Sequence, residues 1–248
     1  MAHYESFFVH PEDVQGNFLV IRGEEFKHIS KVLRKRVGDV LIAVDGLGNS
    51  FEFGIISVGK DFVRGEIQKK WRRRNEPLTN VILGQALIKN PRFDWLLEKT
   101  TELGVSTFLP VVSEFTIIEP DKNRLKRWNR ILIAAVKQSG RSVLPQIAEP
   151  RSFEEAVKQL NTVPVKILPE MEGKTSIQSV LQNYLKIKRL PPREVAILIG
   201  PEGGFGPSEI RLAKEAGFEV VSLGARRLRA ETAAIAASCQ VLTLLEEL

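Results

Sequence analysis

The sequence predicts an α/β protein: a small β-rich region over residues 1–72, then an α/β region over residues 73–248 with a mostly parallel sheet. Three observations lead there. Short aromatic and β-branched runs separated by Asp, Asn and Gly turns fill the first part. The densest basic run, Lys69-Lys70-Trp71-Arg72-Arg73-Arg74 before Asn75-Glu76-Pro77, reads as a domain boundary. Beyond it strand and helix patterns alternate, and the runs at 195–199 and 218–223 suit buried parallel strands covered on both faces.

In the first region, strands are expected at 7–9, 18–21, 40–44, 51–56 and 62–67, spaced as in a small barrel. One helix, residues 24–34, interrupts them. Phe26, Ile29, Val32 and Leu33 form its apolar stripe, His28, Lys31 and Lys35 share another face, and Gly38-Asp39 ends the segment. In the second region, a strand at 80–87 precedes a helix that starts at Pro91 and is capped by Asn90. Phe93, Leu96, Leu97 and Leu103 make its inner face, and Gly104 stops it. A strand at 107–112, helices at 121–138 and 153–160, a strand at 163–168 and a helix at 176–186 follow, then the two buried strands and an apolar final helix.

Composition excludes several classes. Hydrophobic residues make up 43% of the chain, which suits a packed soluble protein rather than a disordered one. A single cysteine, Cys239, rules out an intramolecular disulfide and reads as a packing residue in an apolar helix. The three histidines, His3, His10 and His28, are all N-terminal, so no Cys/His zinc site and no metal is expected. No run of about eighteen apolar residues and no basic-then-apolar leader occurs, so a cytoplasmic protein without membrane contact is expected. The net charge of +6 favours a polyanionic partner. The 69–74 run is either a solvated linker or a phosphate-contacting strap with Trp71 available to stack.

The functional signal lies in two glycine-marked turns, Ile199-Gly200-Pro201-Glu202-Gly203-Gly204-Phe205 and Leu223-Gly224-Ala225-Arg226-Arg227-Leu228-Arg229-Ala230-Glu231-Thr232-Ala233. Each closes a strand at its carboxyl end, where open α/β sheets bind ligands. No Gly-Lys-Ser/Thr follows, and the Gly204-x-Gly206 pair has Glu209 in place of a third glycine, so neither turn is a nucleotide phosphate loop. Together they resemble the signature of the SPOUT methyltransferases and, within them, the 16S rRNA uridine-N3 methyltransferase family. His28-Ile29-Ser30-Lys31-Val32-Leu33-Arg34, Lys99-Thr100-Thr101-Glu102-Leu103-Gly104-Val105 and Gln138-Ser139-Gly140-Arg141 fall where that family has similar blocks, so the resemblance covers nearly the whole chain.

The resemblance implies a PUA-like RNA-binding barrel for residues 1–72. For residues 73–248 it implies a SPOUT domain whose C-terminal strands thread a deep trefoil knot around S-adenosylmethionine. It also implies a homodimer with the active site between knots, and a decoding-region uridine of 16S rRNA in the small ribosomal subunit as target. Three loops are then expected to hold the cofactor: Leu168, Pro169 and Glu170; Ile199, Gly200, Pro201, Glu202, Gly203 and Gly204; and Leu223, Gly224, Arg227, Leu228, Arg229 and Thr232. Attack through N3 requires loss of its proton and leaves charge on the flanking carbonyls, which a permanent cation stabilises; Arg141 and Arg229 are the candidates. Glu231 or Glu202 is the candidate proton acceptor, although Glu231 equally suits holding an arginine and Glu202 equally suits capping the helix at Pro207. His28, Lys31, Arg34, Lys89, Arg92 and Gln138 are the expected RNA contacts, with Lys99 beside them. The chain departs from the family at Ser6 and Phe115, where arginine is usual. Ribose 2′-O-methylation of RNA and a non-catalytic RNA-binding or assembly role stay open as alternatives.

Overall fold

The computed structural model describes residues 6–118 and 124–248. His3 and the expected start of a helix at Asp121 lie outside the described residues. The chain divides into two compact units, one of Met1–Glu76 with Ile133–Leu144, the other of Pro77–Leu132 with Pro145–Leu248.

The first unit is built on β1 (Ser6–Phe8), β2 (Val14–Gln15), β3 (Phe18–Arg22), β4 (Val40–Val44), β5 (Asn49–Val58) and β6 (Phe62–Arg72). They form one six-stranded sheet in the order β1-β4-β5-β6-β3-β2, antiparallel except for the β1–β4 pair. Alternation sends Leu19 and Ile21 of β3, Phe51, Phe53 and Ile55 of β5 and Val63 of β6 into one core with Phe7, Phe26 and Ile29. A Cβ on Gly65 would meet the Phe53 ring, so glycine is needed at that crossing.

Two expectations for this unit change. The basic run is not a linker: β6 continues through Arg72, pairing Lys69 with Glu52, Lys70 with Phe51 and Arg72 with Asn49. Nor is residues 24–34 one α-helix. α1 (Gly23–Lys27) passes into a π-helical turn over His28–Val32, and Arg34 takes a positive φ of 52°. The wider turn rotates the last apolar positions off the stripe, leaving Val32 67% exposed while Phe26 and Ile29 stay in the core.

In the second unit the described strands β7 (Asn80–Ala86), β8 (Thr107–Val112), β9 (Gln146–Ile147), β10 (Arg151–Ser152), β11 (Val165–Pro169), β12 (Glu194–Ile199) and β13 (Glu219–Val221) all pair in parallel. Their order is β10-β8-β7-β12-β11-β13, with β9 beside β8. The unbroken burial of Val195 to Ile199 follows from coverage on both faces. The helices are α2 (Asn90–Leu103), α3 (Arg124–Ser139), whose residues from Ile133 on belong to the first unit, α4 (Phe153–Gln159), α5 (Ile177–Lys188), α6 (Pro207–Glu215) and α7 (Ala230–Leu244).

Caps set several helix ends. Ser152 and Glu155 form a reciprocal capping box on α4, and Ser176 accepts the Ser179 amide at the start of α5. α2 differs from expectation: Lys89 occupies the cap position and Asn90 is already helical, with no side-chain cap bond. Gly104, at φ 122°, ends α2 in a conformation costly to residues with a Cβ. No helix among the described residues is long and apolar enough to cross a membrane.

Candidate cofactor site

The carboxyl ends of β11, β12 and β13 are neighbours in the second sheet, so the loops that leave them meet. They enclose a cavity of about 810 Å³, lined by Pro169 to Glu172 and Lys174 from the first loop, Ile199 to Phe205 from the second and Leu223, Gly224 and Arg226 to Leu228 from the third. Ala230 and Ala233 of α7 and Pro207, Ile210 and Lys214 of α6 complete the wall. That is a size suited to a drug-sized ligand.

Backbone bonds fix each loop. The Glu170 amide donates to the Val221 carbonyl at 2.9 Å, and Gly173 donates to the Glu170 carbonyl at 3.1 Å. A Cβ on Gly173 would fall on the Val221–Ser222 backbone, so the first loop can lie against the third only with glycine there. In the second loop the Gly204 amide, at φ 77°, closes a turn onto the Pro201 carbonyl at 3.0 Å. A Cβ on Gly200 would come within 3.0–3.2 Å of the Gly204 and Phe205 backbone, tighter than most such contacts, so that backbone would have to give by a few tenths of an ångström.

Charged groups lock this arrangement. Glu170 Oε1 accepts the Phe205 amide at 3.3 Å. Burial raises the Glu170 pKa above its ordinary 4.5, opposed by bonds from the Phe205 and Met171 amides. Arg92 Nη1 pairs with Glu202 Oε1 at 2.9 Å, while Arg227 Nη2 donates to the Glu202 carbonyl at 3.2 Å. Two arginines therefore hold the second loop through Glu202. Arg92 Nε also lies 3.7 Å from Glu231 Oε1; Glu231 is buried, and its Oε2 has no hydrogen-bond partner among the described residues.

Most residues expected at the cofactor line this cavity: Pro169, Glu170, Ile199, Gly200, Pro201, Glu202, Gly203, Gly204, Leu223, Gly224, Arg227 and Leu228. Leu168 instead points into the apolar core behind it. Arg229 is the exposed N-cap of α7, and Thr232 is exposed on that helix's first turn; neither is on the wall. Glu202 does not cap α6. Glu209 does, taking the Gly206 amide at 2.8 Å and the Glu114 amide at 3.0 Å through its two oxygens.

Arg141 lies in the first unit, buried against Glu76 with Nη2 at 2.8 Å and Nε at 3.2 Å from the same oxygen. Of the expected RNA contacts, Lys31, Arg34 and Gln138 are exposed and His28 is half-buried, its ring edge-on to Phe7, all in the first unit. Lys89 is exposed in the second, where Arg92 is engaged by Glu202 and Glu231 and Lys99 by Glu98 and Glu102. Ser6 is buried and donates to the Lys137 carbonyl at 2.7 Å, and Phe115 packs beside Gly203. Sequence reasoning missed Met171, Glu172, Lys174 and Phe205 on the wall. The signal available for the first loop was Gly173, two residues after Met171 in an otherwise polar stretch.

A family profile described as RNA methyltransferase domain matches residues 74–242, and one described as RNA methyltransferase PUA domain matches residues 21–68. The ribosomal RNA small subunit methyltransferase E of Synechocystis sp. is 33% identical over 96% of this chain and 77% of its own length. That of Mesomycoplasma hyopneumoniae is 31% identical over 92% of this chain and 95% of its own. The chain belongs to the ribosomal RNA small subunit methyltransferase E family. Solved members agree in fold: the Neisseria gonorrhoeae enzyme bound to S-adenosyl methionine matches with a TM-score of 0.85 and 31% identity, over 98% of each chain. A putative methyltransferase from Legionella pneumophila, in complex with the same cofactor, matches with a TM-score of 0.81 and 30% identity, over 96% of this chain and 97% of that one.

Proposed function

We propose that this member of the methyltransferase E family is an S-adenosylmethionine-dependent methyltransferase acting on N3 of a decoding-region uridine in 16S rRNA. The observation that carries the reading is the three-loop cavity at the carboxyl ends of β11, β12 and β13, in a chain of that family. The residues present fit the cofactor: apolar side chains of Ile199, Leu223 and Leu228, glycine backbone at 200, 203, 204 and 224, and one half-buried carboxylate, Glu170, for a cationic or hydroxyl-bearing ligand. Bound there, S-adenosylmethionine supplies an electrophilic methyl group on a sulfonium.

The chain's own residues then align, exclude water and manage charge. Arg92 and Arg227 hold the second loop through Glu202. Arg226 and Arg229 are exposed on the third loop and enter no ion pair among the described residues, so they supply the cation for charge developing on the uracil carbonyls. Glu231 serves Arg92 rather than the substrate, since its neighbours Ala230 and Ala233 line the cavity and it does not, which leaves Glu202, on the cavity wall, to take the N3 proton. Arg141, paired with Glu76, serves structure. Lys31, Arg34, Lys89 and Gln138 remain exposed for RNA.

Residues 1–72 act as a PUA-like barrel and residues 73–248 as the catalytic domain, with the C-terminal strands threaded as a trefoil knot. Strand order supports the threading, because β12 lies between β7 and β11, both earlier in the chain. The working form is a cytoplasmic homodimer. The test is to label small ribosomal subunits from S-adenosylmethionine and digest their RNA to nucleosides. Label in 3-methyluridine is expected; label confined to a ribose 2′-oxygen would refute the reading.

A further inference from the structure

The outer face of the first unit's sheet carries a second concavity, of about 390 Å³, lined by Asp13, Gln15, Phe18, Val20, Arg22, Phe62 and Arg64. Its residues follow from strand alternation. On β3, Leu19 and Ile21 enter the core, which turns Phe18, Val20 and Arg22 outward. On β6, Val63 and Gly65 face inward, which turns Phe62 and Arg64 outward. The register sets Val20 opposite Arg64 and Arg22 opposite Phe62. A solvent-facing strip of an antiparallel sheet is ordinarily polar. This one presents two phenyl rings, each with a guanidinium over it: Arg64 at 4.7 Å from the Phe18 centroid and Arg22 at 6.0 Å from that of Phe62. Arg22 is steadied by Asp13 at 3.4 Å, and Arg64 has no ion pair among the described residues.

We propose that this Phe18–Arg64 and Phe62–Arg22 face is a stacking platform for unpaired bases of RNA. A flat guanidinium held on a phenyl ring offers a base a planar partner and offers the adjoining phosphate a positive charge, so both parts of a nucleotide are met by the same pair. A duplex presents its bases edge-on and buries their faces, so the platform selects single strands or loops. Charge complementarity and ring geometry commit it to nucleic acid, and none of the RNA contacts named above belongs to it. The inference rests on the reading that the chain acts on RNA and adds where unpaired nucleotides are held.

The test uses the full chain and two RNA probes, a 12-nucleotide single strand with a central 2-aminopurine and a hairpin duplex carrying the same label. Phe18→Tyr keeps the ring, Phe18→Leu keeps apolar bulk without it, and Arg64→Gln removes the charge; circular dichroism checks that each folds. Stacking quenches the probe, whereas phosphate contact alone does not. Wild type and Phe18→Tyr are expected to bind the single strand with quenching. Phe18→Leu is expected to bind it about 5- to 150-fold more weakly, the range for deleting one base–aromatic contact, and to lose the quench; Arg64→Gln is expected to bind it more weakly and with a shallower salt dependence. Unchanged affinity and quench in Phe18→Leu, or tighter binding of the duplex than of the single strand, overturns the platform. Methyl transfer to small subunits is read on the same preparations. A failed platform with intact transfer overturns this inference alone; a ring-dependent quench without transfer in any preparation supports the platform and overturns the methyltransferase reading.

Discussion

Replacing Arg141 with alanine should unfold this protein more than it slows it. The Arg141 and Glu76 side chains are 3% and 2% exposed, and the guanidinium makes two bonds, at 2.8 and 3.2 Å, to one carboxylate oxygen. The other oxygen takes the backbone amides of Ser142 and Val143 at 2.7 and 2.8 Å. One buried carboxylate therefore fastens the turn after α3 to the chain leaving β6. Removing the cation strands a buried charge, which costs about 3–5 kcal/mol; because two amide donors remain, the lower end, about 3 kcal/mol, is expected. Against a typical total of about 5–15 kcal/mol this is large, and for a chain of this size it corresponds to a fall in Tm of about 6–12 °C. Glu76→Leu combined with Arg141→Met removes both charges and should recover part of the loss. Urea unfolding gives the stability, and kcat on small subunits, measured cold where the variant is folded, gives the chemistry. An Arg141→Ala protein with unchanged unfolding and a hundredfold lower kcat would refute the argument and return Arg141 to the reacting atoms.

Gly200→Ala places a Cβ 3.0–3.2 Å from the Gly204 and Phe205 backbone, so the second loop must shift. At about 1–3 kcal/mol for overpacking, calorimetry should show S-adenosylmethionine binding weakened about 5- to 150-fold. Gly203→Ala meets only the yielding Phe115 side chain at 3.2 Å and should do less; the reverse order would contradict the loop geometry. Glu170 holds its proton more tightly in the folded chain than in the unfolded one, so stability from this group is present below pH 4.5 and lost as pH rises through the higher folded value. Glu170→Gln should therefore raise stability at pH 7 and flatten that decline in urea melts across pH 4–7, while weakening the cofactor; a variant less stable at pH 7 would count against it. Arg92→Ala should raise the cofactor KM about tenfold by releasing Glu202 and leaving Glu231 unpaired, with the salt dependence of RNA binding unchanged. A flattened salt slope with an unchanged cofactor KM would make Arg92 an RNA contact instead.

How much was legible depended on whether a residue's role is local. The apolar run ending at Ile199 and the glycines at 200 and 204 foretold a buried strand and a tight turn, because both are dictated by nearby backbone and burial. The same holds for Gly104 ending α2 and for the alternation of β3 and β6. What was not legible is set by partners far along the chain. Glu209 looked like a missing glycine in a dinucleotide loop, yet it caps α6 and ties down the Glu114 amide. Arg141 pairs with Glu76 across 65 positions, and Arg92 with Glu202 across 110, so spacing alone could assign neither. The basic run from Lys69 allowed a solvated linker because charge obscured its pairing with β5, in which Glu52 faces Lys69 at 2.8 Å; the division between the two units falls just after it, at Glu76. The first loop of the cavity carried one cue, Gly173, whose need for close approach to Val221 appears only in three dimensions.

The central claim is that the loops after β11, β12 and β13 form the S-adenosylmethionine site. Hydrogen exchange followed by mass spectrometry, with and without saturating cofactor, tests it most directly. The account predicts protection concentrated in peptides spanning residues 169–174, 199–206 and 222–230, with the first unit unaffected. Protection elsewhere with these three loops unchanged would contradict it.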